Sequence, residues 1–135
     1  MAFKMTSEEW VKELCRLLNE SPAYARAAED WEGDVIFVVE PDEHFSGSAC
    51  MYLQCHHGKC HGAGKIACPK EREAVLRISA AYGTWRKVVE GRLDPIQGLM
   101  MRQLRVEGDV MRLMRFPRAA KEMIDCAKLV PTDFS

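Results

Sequence analysis

A chain of 135 residues and 15.4 kDa has room for one core of ordinary size, and too little for an enzyme with a separate cofactor-binding half. With 47% hydrophobic and 29% charged residues it is neither a disordered nor a fibrous sequence. The net charge of −1 excludes a nucleic-acid binder built on bulk positive charge, yet it hides an asymmetry: residues 1–45 carry four Lys/Arg against eleven Asp/Glu, and residues 46–135 carry fifteen against nine.

The elements can be taken in chain order. No apolar segment followed by a cleavage site opens the chain, so a cytoplasmic protein is expected, with its six cysteines as thiols or ligands rather than a disulfide framework. Thr6-Ser7-Glu8-Glu9 has capping-box spacing, with Thr6 accepting and Glu9 reaching back, and Trp10, Val11, Leu14, Leu17 and Leu18 follow at helical intervals. Ser21-Pro22 starts a second, alanine-rich helix that Trp31-Glu32-Gly33 is expected to end. Asp34–Glu40 reads as a strand stopped by Pro41, and its five-residue apolar run is far shorter than the roughly 20 residues that span a bilayer.

Ala49–His57 and Cys60–Ala67 read as a hairpin turning at Gly58-Lys59, and Glu73–Ala80 as a fourth strand. Tyr82–Glu90 is helical and ends at Gly91, and Asp94-Pro95 opens the next helix. Leu104–Glu107 alternates as a short strand up to Gly108. Asp109 then caps a last helix that Pro117 should kink, with Ala119–Leu129 continuing it. The sum is one α+β domain over residues 1–135, a mostly antiparallel sheet covered by helices, with two helices at the N-terminus.

No phosphate-cradling loop, dinucleotide fingerprint or nucleophile elbow is present. The densest cluster of reactive side chains lies in 50–68. With the turn at Gly58-Lys59, His57 stands opposite Cys60 and His56 opposite His61. Cys55, His57, Cys60 and His61 then become candidate metal ligands, with Cys50 or Cys68 as a further donor. The blander reading is that cysteines on half-buried strands act as small hydrophobes, and no Cys-x-x-Cys pair is present. A second concentration is apolar: Leu99, Met100, Met101, Met111, Leu113, Met114 and Phe116 flank the Leu104 strand. Methionine suits surfaces that must fit irregular apolar ligands, although it also fills ordinary cores. Arg102, Arg105, Arg112, Arg115 and Arg118 lie beside it and suit an anionic head group, with plain solvation as the default.

From Glu73 to about Met123 the chain resembles the sterol carrier protein family. The resemblance rests on Ala74–Ala80, on Trp85–Glu90 running into Gly91-Arg92-Leu93-Asp94-Pro95, and on Leu104-Arg105-Val106-Glu107-Gly108-Asp109 followed by Met111–Met114. It implies a five-stranded, mostly antiparallel sheet with helices enclosing an apolar tunnel. It also implies a carrier of fatty acyl, sterol or similar ligands, with no catalysis and no cofactor. By matched position the tunnel would be lined by Trp85, Val88, Val89, Ile96, Leu99, Met100, Val106, Met111 and Met114. The partner would be an apolar, lipid-like molecule, with transient membrane-surface contact and a homodimer as further expectations. The competing readings are a metal or redox protein centred on the hairpin and a non-binding accessory or oligomerisation domain.

Overall fold

The computed structural model describes residues 2–67 and 69–134. In chain order the elements are β1 (Phe3–Lys4), α1 (Glu8–Asn19), α2 (Pro22–Ala27), β2 (Glu32–Glu40), β3 (Ala49–His56), β4 (Lys59–Ile66), β5 (Leu76–Ala81), α3 (Tyr82–Val89), α4 (Pro95–Met100), β6 (Arg105–Gly108), α5 (Val110–Met114), α6 (Pro117–Leu129) and β7 (Thr132–Asp133). Five strands form one sheet in the order β4-β3-β2-β5-β6. All neighbours are antiparallel except β2 and β5, which run parallel with Phe37 opposite Ile78. β1 and β7 pair separately and in parallel, joining the two ends of the described chain. No helix among the described residues is long and apolar enough to cross a membrane.

Because side chains alternate across a strand, each strand divides its residues between two faces. Val35, Phe37 and Val39 of β2, Met51, Leu53 and Cys55 of β3, and Leu76, Ile78 and Ala80 of β5 face the helices and join the main core. There they meet Val11, Leu14 and Leu18 of α1, Trp85 and Val88 of α3, and Ala119 and Ala127 of α6. Ile36, Val38 and Cys50 point the other way into a smaller cluster with Tyr52, Ile66 and Ala74. The chain leaving β4 covers that face on its way to β5. Arg72 stacks its guanidinium 3.9 Å from the Tyr52 ring centre and bonds Asp34, and Arg77 donates to the Pro69 carbonyl.

Several starts and stops lie where local chemistry put them. Ser21 caps Tyr24, Asp94 caps Ile96, and Asp109 caps Arg112. Others move. The first cap is Ser7, not Thr6: its Oγ accepts from the Trp10 amide at 3.2 Å. α2 stops at Ala27, and Gly33 lies inside β2 at φ +140° against Val75 instead of ending a helix. Pro117 does not kink one helix but opens a new one after a break at Arg115 and Phe116, as its missing N–H allows.

The hairpin turn is His57-Gly58, one residue earlier than expected. Both residues have positive φ, 51° and 80°, the requirement of the two-residue turn that matches strand twist. Cys55 therefore pairs with Cys60, and His56 with Lys59. A slip of one residue exchanges faces, so the expected grouping of His57 with Cys60 is lost.

Candidate functional site

Between the sheet and the C-terminal helices lies a cavity of about 90 Å³. Its floor is the helix-facing side of three strands: Val35 and Phe37 of β2, Leu76 and Ile78 of β5, and Val106 of β6. Tyr24 of α2, Trp31 and Trp85 of α3 close one side. Ile96 and Leu99 of α4, Leu113 of α5, and Phe116 close another, and α6 roofs it with Ala119, Ala120, Met123 and Ile124. Small alanines on α6 leave space where larger side chains would reach the floor. A second cavity of about 40 Å³ lies behind Phe37, Trp85, Met123 and Ile124 and reaches Met5, Trp10, Val88 and Val89. The Phe37 and Trp85 rings stand edge to face between the two cavities, 5.6 Å apart.

The polar atoms of this wall are already engaged. Trp85 Nε1 donates to the Val38 carbonyl and Trp31 Nε1 to the Gly33 carbonyl, each at 2.9 Å. Burial pushes the Tyr24 phenol well above its ordinary range, and the nearby Cys55 thiol adds to the shift. Burial likewise pushes the Cys55 thiol up to about 11, partly opposed by its hydrogen bond to Tyr24. Both groups stay neutral at physiological pH, so this pair supplies neither a thiolate nucleophile nor a charge. What the space can do is hold apolar matter. It amounts to roughly three water volumes and is smaller than the ~150 Å³ hollow that accepts a benzene ring. A long chain enters only if part of the wall moves.

The expected lining residues divide into three groups. Trp85, Ile96, Leu99 and Val106 lie in the wall of the first cavity, and Val88 and Val89 in that of the second. Met100, Met111 and Met114 do not line it: they are 75%, 74% and 45% exposed. Helix α5 presents Leu113 inward, and a five-residue helix cannot turn its neighbours inward as well. The α6 wall and the β2 and β5 floor were missed. Period-two spacing in Val35-x-Phe37 and Leu76-x-Ile78 marked an inner face but not a hollow above it.

Among the described residues, the hairpin does not bring the candidate ligands together. Cys60 is disulfide-bonded to Cys15, with Cα atoms 5.5 Å apart, which ties β4 to α1 and corrects the expectation of unpaired thiols. Cys55 points to Tyr24. His57 in the turn bonds the Glu29 carbonyl at 3.0 Å and the Glu32 carboxylate at 2.8 Å; the carbonyl first, then the carboxylate, favour its protonated form. His61 meets the edge of the His56 ring. Cys50 is buried on the opposite face, and Cys68 lies outside the described residues. Among the described residues, no three His, Cys, Asp or Glu side chains converge as a metal requires.

The architecture is thus an α+β sheet with helices closing over an apolar hollow. The SCP-2 sterol transfer family matches residues 11–121, and the chain belongs to that family. A crystal structure of sterol carrier protein 2 superposes with a TM-score of 0.86 at 37% identity, covering 94% of this chain and 99% of the other. The solution structure of a conserved hypothetical protein from Thermus thermophilus does so with a TM-score of 0.86 at 35% identity, covering 100% and 96%. The apo sterol carrier protein 2 of Yarrowia lipolytica shares the fold at 15% identity, with a TM-score of 0.58 and coverage of 93% and 98%. No protein with a curated description matches this chain in sequence.

Proposed function

We propose that residues 1–135 act as one non-catalytic carrier domain that holds a fatty acyl, sterol or similar apolar ligand in a tunnel formed when the two cavities join. The observation that carries this reading is the cavity wall: apolar on every side, with its indole donors already satisfied. Family membership supports it. Apolar burial is worth roughly 0.8 kcal/mol per methylene, so such a wall retains a chain without an ion pair or a catalytic group. Phe37, Trp85, Met123 and Ile124 separate the cavities, and rotation of side chains there would make one path. Methionine, with its unbranched and adaptable side chain, suits that partition.

Uptake of cis-parinaric acid tests the proposal. Trp31 and Trp85 line the first cavity, so a bound polyene takes up their fluorescence by energy transfer. Saturable transfer is expected. Leu99→Arg, which puts a charge into the wall, should abolish it, whereas Met111→Arg on the exposed side should not. Absence of transfer in well-folded protein, together with no lipid in native mass spectra, would overturn the reading.

A further inference from the structure

Three cysteines from three different elements meet at the α1–β3–β4 corner. Cys60 on β4 is bonded to Cys15 on α1, and Cys55 on β3 is its register partner across the hairpin. The two-residue turn at His57-Gly58 makes His56 and Lys59 the hydrogen-bonded pair, so Cys55 and Cys60 form the next, non-hydrogen-bonded pair. The Cys60 backbone agrees: its N–H and C=O turn away from β3 and bond the Asn19 side chain, each at 2.8 Å. Opposite residues share a face, and both cysteines are buried in the helix-facing core. The Cα atoms of such a pair stand about 4.5 Å apart, inside the roughly 4.4–6.8 Å that a disulfide spans. Cys60 therefore has two sulfur partners within reach, Cys15 and Cys55.

The three sulfurs differ in access. Cys55 and Cys60 are 1% and 5% exposed, whereas Cys15 is only partly buried, so a thiol set free at Cys15 is open to solvent. Burial keeps the Cys55 thiol protonated at neutral pH, which makes its attack slow and lets the Cys15–Cys60 bond persist. Cutting that bond leaves α1 with other anchors. Val11, Leu14 and Leu18 hold it in the core, and Asn19 keeps its two bonds to the Cys60 backbone, so the sulfurs stay near enough to rejoin. The other described cysteines stand apart, Cys50 on the opposite face of the sheet and Cys126 on α6.

We propose that Cys15, Cys55 and Cys60 form a thiol–disulfide exchange site, in which Cys60 passes from Cys15 to Cys55, α1 loses its covalent tie and Cys15 is presented to small electrophiles as a reactive thiol. The Cys55 thiolate attacks Sγ of Cys60, and a Cys55–Cys60 bond forms. The Cys15–Cys60 bond breaks, and the Cys15 sulfur leaves with the electron pair and takes up the proton that Cys55 gave. One disulfide and one thiol stand on each side of the step, so no outside oxidant or reductant is consumed. The Cys15–Cys60 bond seen in the structure is the resting form, and a reagent that captures the Cys15 thiol draws the exchange forward. Helix α1 also lends Trp10 and Leu14 to the second cavity. The exchange thus sets how firmly that wall is tied, a consequence that rests on the carrier reading, whereas the exchange itself does not.

The test is capping of the full, unreduced chain by iodoacetamide, followed by peptide mapping without reductant. Cys15 is expected to be carbamidomethylated, with Cys55 joined to Cys60 in the same molecules. The rate of capping should rise about tenfold per pH unit between pH 7 and pH 9, as the thiolate fraction of Cys55 does. C55A should slow capping at Cys15 at least about tenfold. C15S, which leaves Cys55 untouched, should form the Cys55–Cys60 bond when treated with oxidised glutathione, which accepts the two electrons released. The proposal is overturned if Cys15 stays uncapped and bonded to Cys60 at every pH, if C55A is capped at Cys15 as fast as wild type, or if the new bond joins Cys60 to a cysteine other than Cys55. It is equally overturned if oxidised C15S leaves Cys55 and Cys60 unlinked, and that result decides should C55A fail to fold.

Discussion

The α1–β3–β4 corner and the α4–β6–α5 edge sit on the same sheet and are built on opposite terms. At the first, Val11 and Leu18 of α1 and Leu53 of β3 are fully buried, Cys15 is bonded to Cys60, and the Asn19 side chain both donates to and accepts from the Cys60 backbone at 2.8 Å. At the second, two short helices bury almost nothing, turn methionines outward and stand over a cavity. The lesson is a division of labour. A carrier needs one rigid wall to define its space and one weakly held wall to open it, and packing density decides which is which.

The largest effect should come from the tied corner. Removing the link with C15A/C60A frees a crosslink across a sequence separation of 45 residues, and equilibrium denaturation should show a loss of about 3–4 kcal/mol. Peptide mapping without reductant should find Cys15 joined to Cys60, and failure to find it would dissolve the contrast. Next, Leu53→Ala should cost about 3 kcal/mol in chemical denaturation because its fully buried site cannot collapse freely. Leu113→Ala, at the loose edge beside an existing hollow, should cost less than about 1 kcal/mol. Equal costs at these two leucines would break the comparison.

The smallest effect concerns Asp42. No side chain caps α3 at its own N-cap, Ala81, and Asp42 from the β2–β3 loop supplies the acceptor: its Oδ2 takes the Gly83 amide at 2.7 Å. That bond, then the one from His44, holds the Asp42 carboxyl below the ordinary aspartate range. A depressed folded-state value means the stabilisation is present at neutral pH and is lost as pH falls through that value. Asp42→Ala should therefore lower the melting midpoint slightly at pH 7, and the gap from wild type should close in acid. A gap that persists or grows in acid would show that the carboxylate is not the cause.

Much of the fold was legible because its signals act over a few residues. Ser21-Pro22, Asp94-Pro95 and Gly108-Asp109 each combine a backbone preference with a side-chain cap, and each stands at a real boundary. The strands at Asp34–Glu40, Ala49–His57 and Cys60–Ala67 were read from their own residues, and the resemblance over Glu73–Met123 added that the strands form one five-stranded sheet. Errors arose where two local readings differed by one residue, as with Thr6 against Ser7, or with Gly58-Lys59 against His57-Gly58. In the hairpin that single step moved His57 away from Cys60 and undid the metal reading. The cavity was legible in part. Its expected lining residues were all placed by matched position: Ile96, Leu99 and Val106 line the cavity, whereas Met100, Met111 and Met114 face outward, because a match in sequence does not say how a short helix is turned.

The amino-acid sequence alone determined the helix starts at Ser21-Pro22, Asp94-Pro95 and Asp109, because capping bonds and proline rings are settled between near neighbours. Tertiary structure alone decided three further things. It gave Cys60 its partner in Cys15, 45 residues away, and set β5 parallel beside β2. It also held α6 far enough above Phe37 and Ile78 to leave a hollow. Each depends on how closely distant segments approach, and that distance follows from the summed packing of many side chains, which no short stretch of sequence contains.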